Sequence, residues 1–353
     1  MHEEAKRAIE ALGDGLPQDW LLRPKAHVEQ MKPEAGALKR ILERPGTKEI
    51  IDEHIRFDEQ AGRAQKLYKG PSLWSARFSF ISVLTASIAV ILEGVDFFPM
   101  NEWSRVFAIV TGVSVLLSFA LSLVTTWAKP FERWMLARAE AEVRRMRLFT
   151  EVTSSDEAPQ AGEAPLLPLQ LEYFRRYQLD VQRAYYGKRS RDHATVVRTA
   201  SRLRLFAMVL VVLASIPLVF TLTGIGWNDI PVVGGLFSAF EMSADRENRI
   251  FLGLGTIGAA LQGLLAARLL LGQDERNATR YAATFSNLED LASRPLTDAR
   301  AAASVGDREG VLAFVALVQE QVSSEHREWV SLNKLSPDLS LSRLQELALP
   351  RLK

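Results

Sequence analysis

Four apolar stretches decide what this chain can fold into. A helix that crosses the roughly 30 Å hydrocarbon core of a bilayer needs about 20 mostly apolar residues. Residues 78–98, 106–128, 205–225 and 250–271 all reach that length. The first meets charge only near its end, at Glu93 and Asp96; the second and third carry none; the fourth carries Arg268 alone. Pro217, inside the third, is better tolerated in a membrane helix than in a soluble one. Over the whole chain, 48% hydrophobic and 24% charged residues would suit an ordinary soluble protein. Their segregation does not. Blocks this long and this free of charge point to a multi-pass membrane protein.

Spacing pairs the blocks. A short segment around 99–103 joins the first two, residues 226–249 join the last two, and the long polar stretch 129–204 separates the pairs. Basic residues beside the membrane set orientation. Twenty flank the outer ends of the two pairs, among them Arg63, Lys69, Lys129, Arg144, Arg147, Lys188, Arg198, Arg204 and Arg276. The connecting loops hold only Arg105, Arg246 and Arg249, beside Glu93, Asp96, Glu102, Asp229, Glu241, Asp245 and Glu247. Both termini and the middle section are therefore expected in the cytoplasm.

The polar sections read as helices. Residues 131–150 are rich in Ala, Glu, Arg and Leu, strong helix formers, and are expected to continue the second membrane helix; 273–291 should likewise extend the fourth. Residues 307–332 place Val311, Leu312, Val315, Val318 and Val322 three or four apart, a stripe for packing on a neighbouring helix. Nowhere is strand alternation sustained, so the fold class expected is all-α: four transmembrane helices in two hairpins continued by long cytoplasmic helices. The expected divisions are an N-terminal cytoplasmic region 1–60, a first hairpin unit 61–152, a flexible Pro-, Ser- and Gly-bearing linker 153–168, a second hairpin unit 169–291, and a C-terminal cytoplasmic region 292–353.

Within the spans, three sets of residues stand out. Thr111, Ser114, Ser118, Ser122 and Thr125 fall on one helix face; they are candidate pore-lining hydroxyls, or else bond to carbonyls and neighbouring helices. Glu93 and Asp96 could form an acidic outer mouth in an oligomer, or cap and solvate the loop. Gly255, Ala259, Gly263 and Ala267 repeat every four residues, the spacing that lets helices approach closely in lipid. The same helix spells GLGTIG at 253–258, but that pattern cradles a pyrophosphate only between a strand and a helix start, so packing is its expected use. Gln262 and Arg268 are intramembrane polar groups; Arg268 lies close enough to the helix end to snorkel to the headgroups.

Other chemistry finds little support. A net charge of +1 gives no bulk attraction for nucleic acid. The absence of cysteine excludes disulfides, thiolate metal sites and a thiol nucleophile. His2, His27, His54, His193 and His326 show no metal-ligand spacing, and hydrolase, zinc-protease and phosphate-loop patterns are missing. Neither an enzyme nor a cofactor is expected.

The two halves share a plan of basic helix, membrane hairpin and second helix. Arg63-Ala64 and Arg183-Ala184 precede the hairpins, with Tyr68 and Tyr185-Tyr186 close behind. Trp134, Arg138, Ala139, Glu140 and Glu142 after the second span, Arg183-Ala184-Tyr185-Tyr186 before the third, and Glu325 with Trp329 resemble the SLATT family over about residues 50–335. Members are bacterial two-transmembrane proteins with a helical cytoplasmic part, found beside nucleotide-signalling enzymes in conflict systems. The chain departs from that pattern in holding an apparent tandem pair of hairpins. The resemblance implies an oligomeric, pore- or channel-forming membrane effector in antiphage defence. Its partners would be the lipid bilayer, further copies of itself, and a cytoplasmic signalling protein or nucleotide second messenger. The alternative is a non-conducting membrane scaffold or sensor that docks a cytoplasmic partner.

Overall fold

The computed structural model describes residues 3–14, 22–95, 100–223 and 244–332. Among them every regular element is helical. Short α1 (Glu3–Ala11), α2 (Pro24–Gln30), a 3-10 turn (Pro33–Ala35) and α3 (Gly36–Glu43) lead into α4 (Pro45–Val95), which passes through Pro71 unbroken. Then come α5 (Met100–Trp127), α6 (Pro130–Ser154), α7 (Leu166–Phe174), a π-helical turn (Arg175–Leu179) and α8 (Asp180–Thr223). The series closes with α9 (Ala244–Gly272), α10 (Asp274–Leu291), α11 (Arg294–Ser304) and α12 (Arg308–Leu332). Windows in α4, α5, α8 and α9 are long and apolar enough to cross a membrane, at mean hydropathies of 1.8, 2.3, 1.7 and 1.8.

The chain divides into two compact units. Unit 1 gathers residues 1–66, 130–192 and 276–353, and within it the described parts of the N-terminal, middle and C-terminal sections pack together. Its centre is α7, LLPLQLEYF, buried along its whole length. A helix apolar on nearly every side needs neighbours on every side, and α1, α3, α6, α11 and α12 supply them. Leu148, Phe149 and Val152 of α6 meet Tyr173 and Phe174 and the α12 stripe Val311, Val315, Val318 and Val322 in one core. Leu312 of that stripe is only partly buried.

Residues 155–165 are not helical, in keeping with Pro159, Pro165 and Gly162 at φ +89, but they are laced down. Arg40 pairs with Glu157 and Glu163 at 2.9 and 2.8 Å, Arg44 with Glu157 at 2.6 Å, and Arg308 with Asp156 at 3.3 Å. The guanidinium hydrogen bonds hold both Glu157 and Glu163 below the usual carboxylate range. Arg40 of α3, Arg44 just after it and Arg308 of α12 thus tie down the segment whose composition suggested a flexible linker.

A second expectation also needs correcting. Neither α5 nor α9 runs on into the following helix. Lys129 at φ 43 and Gln273 at φ 48 each adopt the left-handed conformation and break the helix there. Pro130 and Gly272 adjoin the two breaks, and proline disfavours helical geometry in the residue before it. In contrast α4 and α8 are continuous, so each half pairs one unbroken long helix with one broken at a left-handed residue.

Unit 2 comprises residues 67–129 and 193–275. Its buried positions are small or hydroxylated: Ser82, Ser87, Ser114, Ser118, Ala200, Ala207 and Ala214, with Leu265 and Leu269. Its exposed positions are large and apolar, including Ile109, Leu116, Phe119, Leu213 and Leu252 at 56–68% exposure. A water-soluble domain would bury these side chains and display the serines. Lipid reverses that preference, because helix contacts there are made by small residues and hydroxyls.

Candidate functional site

The seams between the helices of unit 2 carry the candidate residues. Ser75 and Ser118 are cross-bonded: the Ser75 hydroxyl donates to the Ser118 carbonyl and the Ser118 hydroxyl to the Ser75 carbonyl, both at 3.0 Å. Ser79 reaches Ser118 at 2.7 Å, Ser75 reaches Ser122 at 2.8 Å, and Thr85 reaches Thr111 at 2.9 Å. Residue numbers rise on α4 as they fall on α5, so the two helices run antiparallel along this zipper. Ser114 is also buried, and Thr125 donates back to the carbonyl of Ser122 at 2.8 Å. The hydroxyl face of α5 is thus engaged with α4 and its own backbone. Within one chain Ser114 and Ser118 are buried in this seam, Thr111 and Thr125 are half-buried and Ser122 is exposed.

Sequence reading found the α5 half of this zipper and missed the α4 half. Ser75, Ser79, Ser82 and Thr85 recur three and four apart, the same signal. It was obscured because it begins before the uncharged core of the span, among Lys69 and Arg77.

Elsewhere the placements differ from the sequence expectation. Of the Gly255, Ala259, Gly263 and Ala267 series, only Gly255 is at a close approach, where a Cβ would lie 3.1 Å from that of Ala214. Ala259 and Gly263 are exposed, Ala267 is half-buried, and the space over Gly263 is open. The tight contacts fall at Gly258, where a Cβ would lie 2.9 Å from the Ala207 carbonyl, and at Gly253, set against Ile91. Glu93 is paired with Arg249 at 2.9 Å, which offsets its charge. Asp96 lies outside the described residues. Arg268 is exposed and Gln262 half-buried. His193 of α8 meets Asp274, the first residue of α10, at 2.5 Å.

Unit 1 holds a buried polar network that composition did not disclose. His27 of α2 stacks on Tyr177 of the π turn with ring centroids 3.6 Å apart and bonds to the Tyr173 hydroxyl at 3.0 Å. Arg145 of α6 donates to Gln178 at 2.8 Å and to the Tyr177 carbonyl at 3.3 Å. A side chain bonded to a backbone carbonyl of the turn is a cause of such helix irregularities. Glu172, 1% exposed, accepts from Arg175 at 2.5 Å and from Arg300 at 2.6 Å. Gln170 donates to the carbonyls of Val152 and Ser155, both at 2.7 Å. The network ties α2, α6, α7 and α11 together. Among the described residues no cluster of three or more His, Asp or Glu side chains could hold a metal ion.

Comparison of the chain with protein-family models, with curated proteins and with solved structures returns no match.

Proposed function

We propose that this chain is a multi-pass protein of the bacterial inner membrane, crossing four times as two hairpins, with both termini and unit 1 in the cytoplasm. It acts as a self-assembling membrane effector in bacterial conflict or antiphage defence, opening a pore when several copies meet. One observation carries the membrane part of this reading: unit 2 buries serine, alanine and glycine and displays leucine, isoleucine and phenylalanine. The orientation rests on the excess of basic residues flanking the spans. The defence role rests on the SLATT-like residues alone.

Assembly is supported by how little the helices cover one another. No more than 17% of any candidate span is buried within the chain, and only 6% of that in α5. Two hairpins cannot enclose a water path, so any path forms between copies. Unit 1, held rigid by its buried network, is the part suited to receive a cytoplasmic signalling protein or a nucleotide second messenger. Purified protein reconstituted in liposomes should release a small dye or pass ions. Tight vesicles that contain assembled oligomers and a signalling partner would overturn the pore.

A second reading is a non-conducting scaffold or sensor. The hydroxyl zipper favours it, because the polar side chains of α5 are already satisfied inside one chain. In that case liposomes stay sealed and unit 1 captures its partner all the same.

A further inference from the structure

A groove of about 630 Å³ runs between α8 and α9, lined by Arg204, Leu205, Met208, Gln262, Gly263 and Ala266. All six lie within or at the edge of the apolar segments of unit 2, where the membrane reading sets acyl chain beside them. Its floor is open for a definite reason: a Cβ on Gly263 would meet nothing within 4 Å, and its neighbour Ala266 is small. Arg204 stands at the last position before the uncharged stretch of α8, where a long cationic stem lies along apolar surface and carries its charge to the headgroups. Its guanidinium is 3.6 Å from Glu275, and both side chains are well exposed, at 40% and 63%. Such an exposed pair is worth little and yields readily to a phosphate. Arg198 and Arg202 on the same helix are exposed too and add to the positive field.

We infer that this groove is a binding site for one anionic phospholipid, with an acyl chain laid over Gly263 and Ala266 against Leu205 and Met208. The phosphate is held by Arg204, and the amide of Gln262 faces the polar headgroup–chain junction. The groove supplies an apolar slot and a cation at its rim, which is the pattern of a phosphodiester with a hydrocarbon tail. Neutral lipids fill the slot without the charge contact. This inference rests on the membrane reading of unit 2.

The test measures retention of phosphatidylglycerol against phosphatidylcholine by native mass spectrometry of the full chain extracted from mixed vesicles. Wild type should hold one phosphatidylglycerol in preference. Arg204→Gln should lower that preference about fivefold, the effect of one basic residue at an anionic surface, while still holding phosphatidylcholine. Gly263→Leu, whose Cβ meets nothing within 4 Å, occupies the slot and should lower retention of both. Equal retention in wild type and both variants, in protein that still pellets with carbonate-washed membranes, overturns the groove and leaves the membrane reading standing. A chain recovered soluble without detergent overturns both.

Discussion

The imidazole of His54 donates its Nδ1 hydrogen to the carbonyl of Ala141 at 2.9 Å, from a position on α4 only 3% exposed. Burial, then the Arg145 guanidinium, holds its pKa below the usual 6.5; Glu142 and Asp58 oppose this more weakly. Folded protein therefore takes up a proton here less readily than unfolded chain, so stability is full above pH 6.5 and falls as pH drops below it. Unit 1 should melt at a lower temperature at pH 5 than at pH 7.5, and His54→Gln, which keeps a donor, should flatten that difference. Equal slopes in the two proteins would remove His54 as the cause. Asp180 acts in the opposite sense and lower on the scale: burial raises it from 3.8, so its contribution is lost as pH rises.

Glu172 is the buried partner of two arginines. Glu172→Gln takes the counter-charge from Arg300 and leaves Arg175 with Asp180 alone, and should destabilise unit 1 by about 3 kcal/mol, the range for breaking a buried pair. Thermal unfolding in detergent, followed by tryptophan fluorescence, reads this directly. A loss below about 0.5 kcal/mol would mean that the pair is effectively solvated.

On α9, Gly258→Leu and Ala259→Leu differ by one position and should behave oppositely. The first drives a side chain into the Ala207 carbonyl and should lower the melting point of unit 2, with overpacking costs of about 1–3 kcal/mol. Ala259 is exposed, and its replacement should leave the isolated protein unchanged. Equal damage from both would place α9 differently against α8.

The zipper makes a separate prediction. Ser118→Ala removes hydroxyl bonds to Ser75 and Ser79 and should cost about 0.6 kcal/mol per bond. Liposome permeability should not change, because Ser118 is buried between α4 and α5. A shift in ion selectivity on Ser118→Ala would reopen the pore-wall role for this face.

Left-handed Lys129 and Gln273 each hold a conformation that costs a non-glycine residue about 1–2 kcal/mol. Lys129→Gly and Gln273→Gly should each raise the unfolding temperature, since glycine adopts this geometry without strain. Circular dichroism melts suffice to check it, and a decrease would show that the side chains themselves anchor the breaks.

What the sequence disclosed was whatever a period or a run encodes. The four spans, the absence of strands among the described residues and the α12 valine stripe all follow from where apolar residues fall. The breaks at Lys129 and Gln273 were signalled by Pro130 and Gly272, but the helix-forming composition that continues past both outweighed that signal. The embedding of α7 was hidden: nine residues beginning LLPLQL gave no clue that α1, α3, α6, α11 and α12 surround them. Pairing across distance was the least visible. Nothing local joins Glu172 to Arg300, Ser75 to Ser118 or Glu93 to Arg249, because the partners meet only once the helices have packed.

The π turn at Arg175–Leu179 leaves one residue more than an α-helical path would need between α7 and α8. That surplus keeps the faces before and after it in phase. Deleting a single amino acid within the turn should therefore heal the ladder and leave every downstream side chain of α8 pointing where it does now, whereas the same deletion a few positions later would rotate the rest of the helix by about 100°. The lineage of this protein could gain or lose that one codon without re-registering its long helix, which makes the turn a natural place for length to vary.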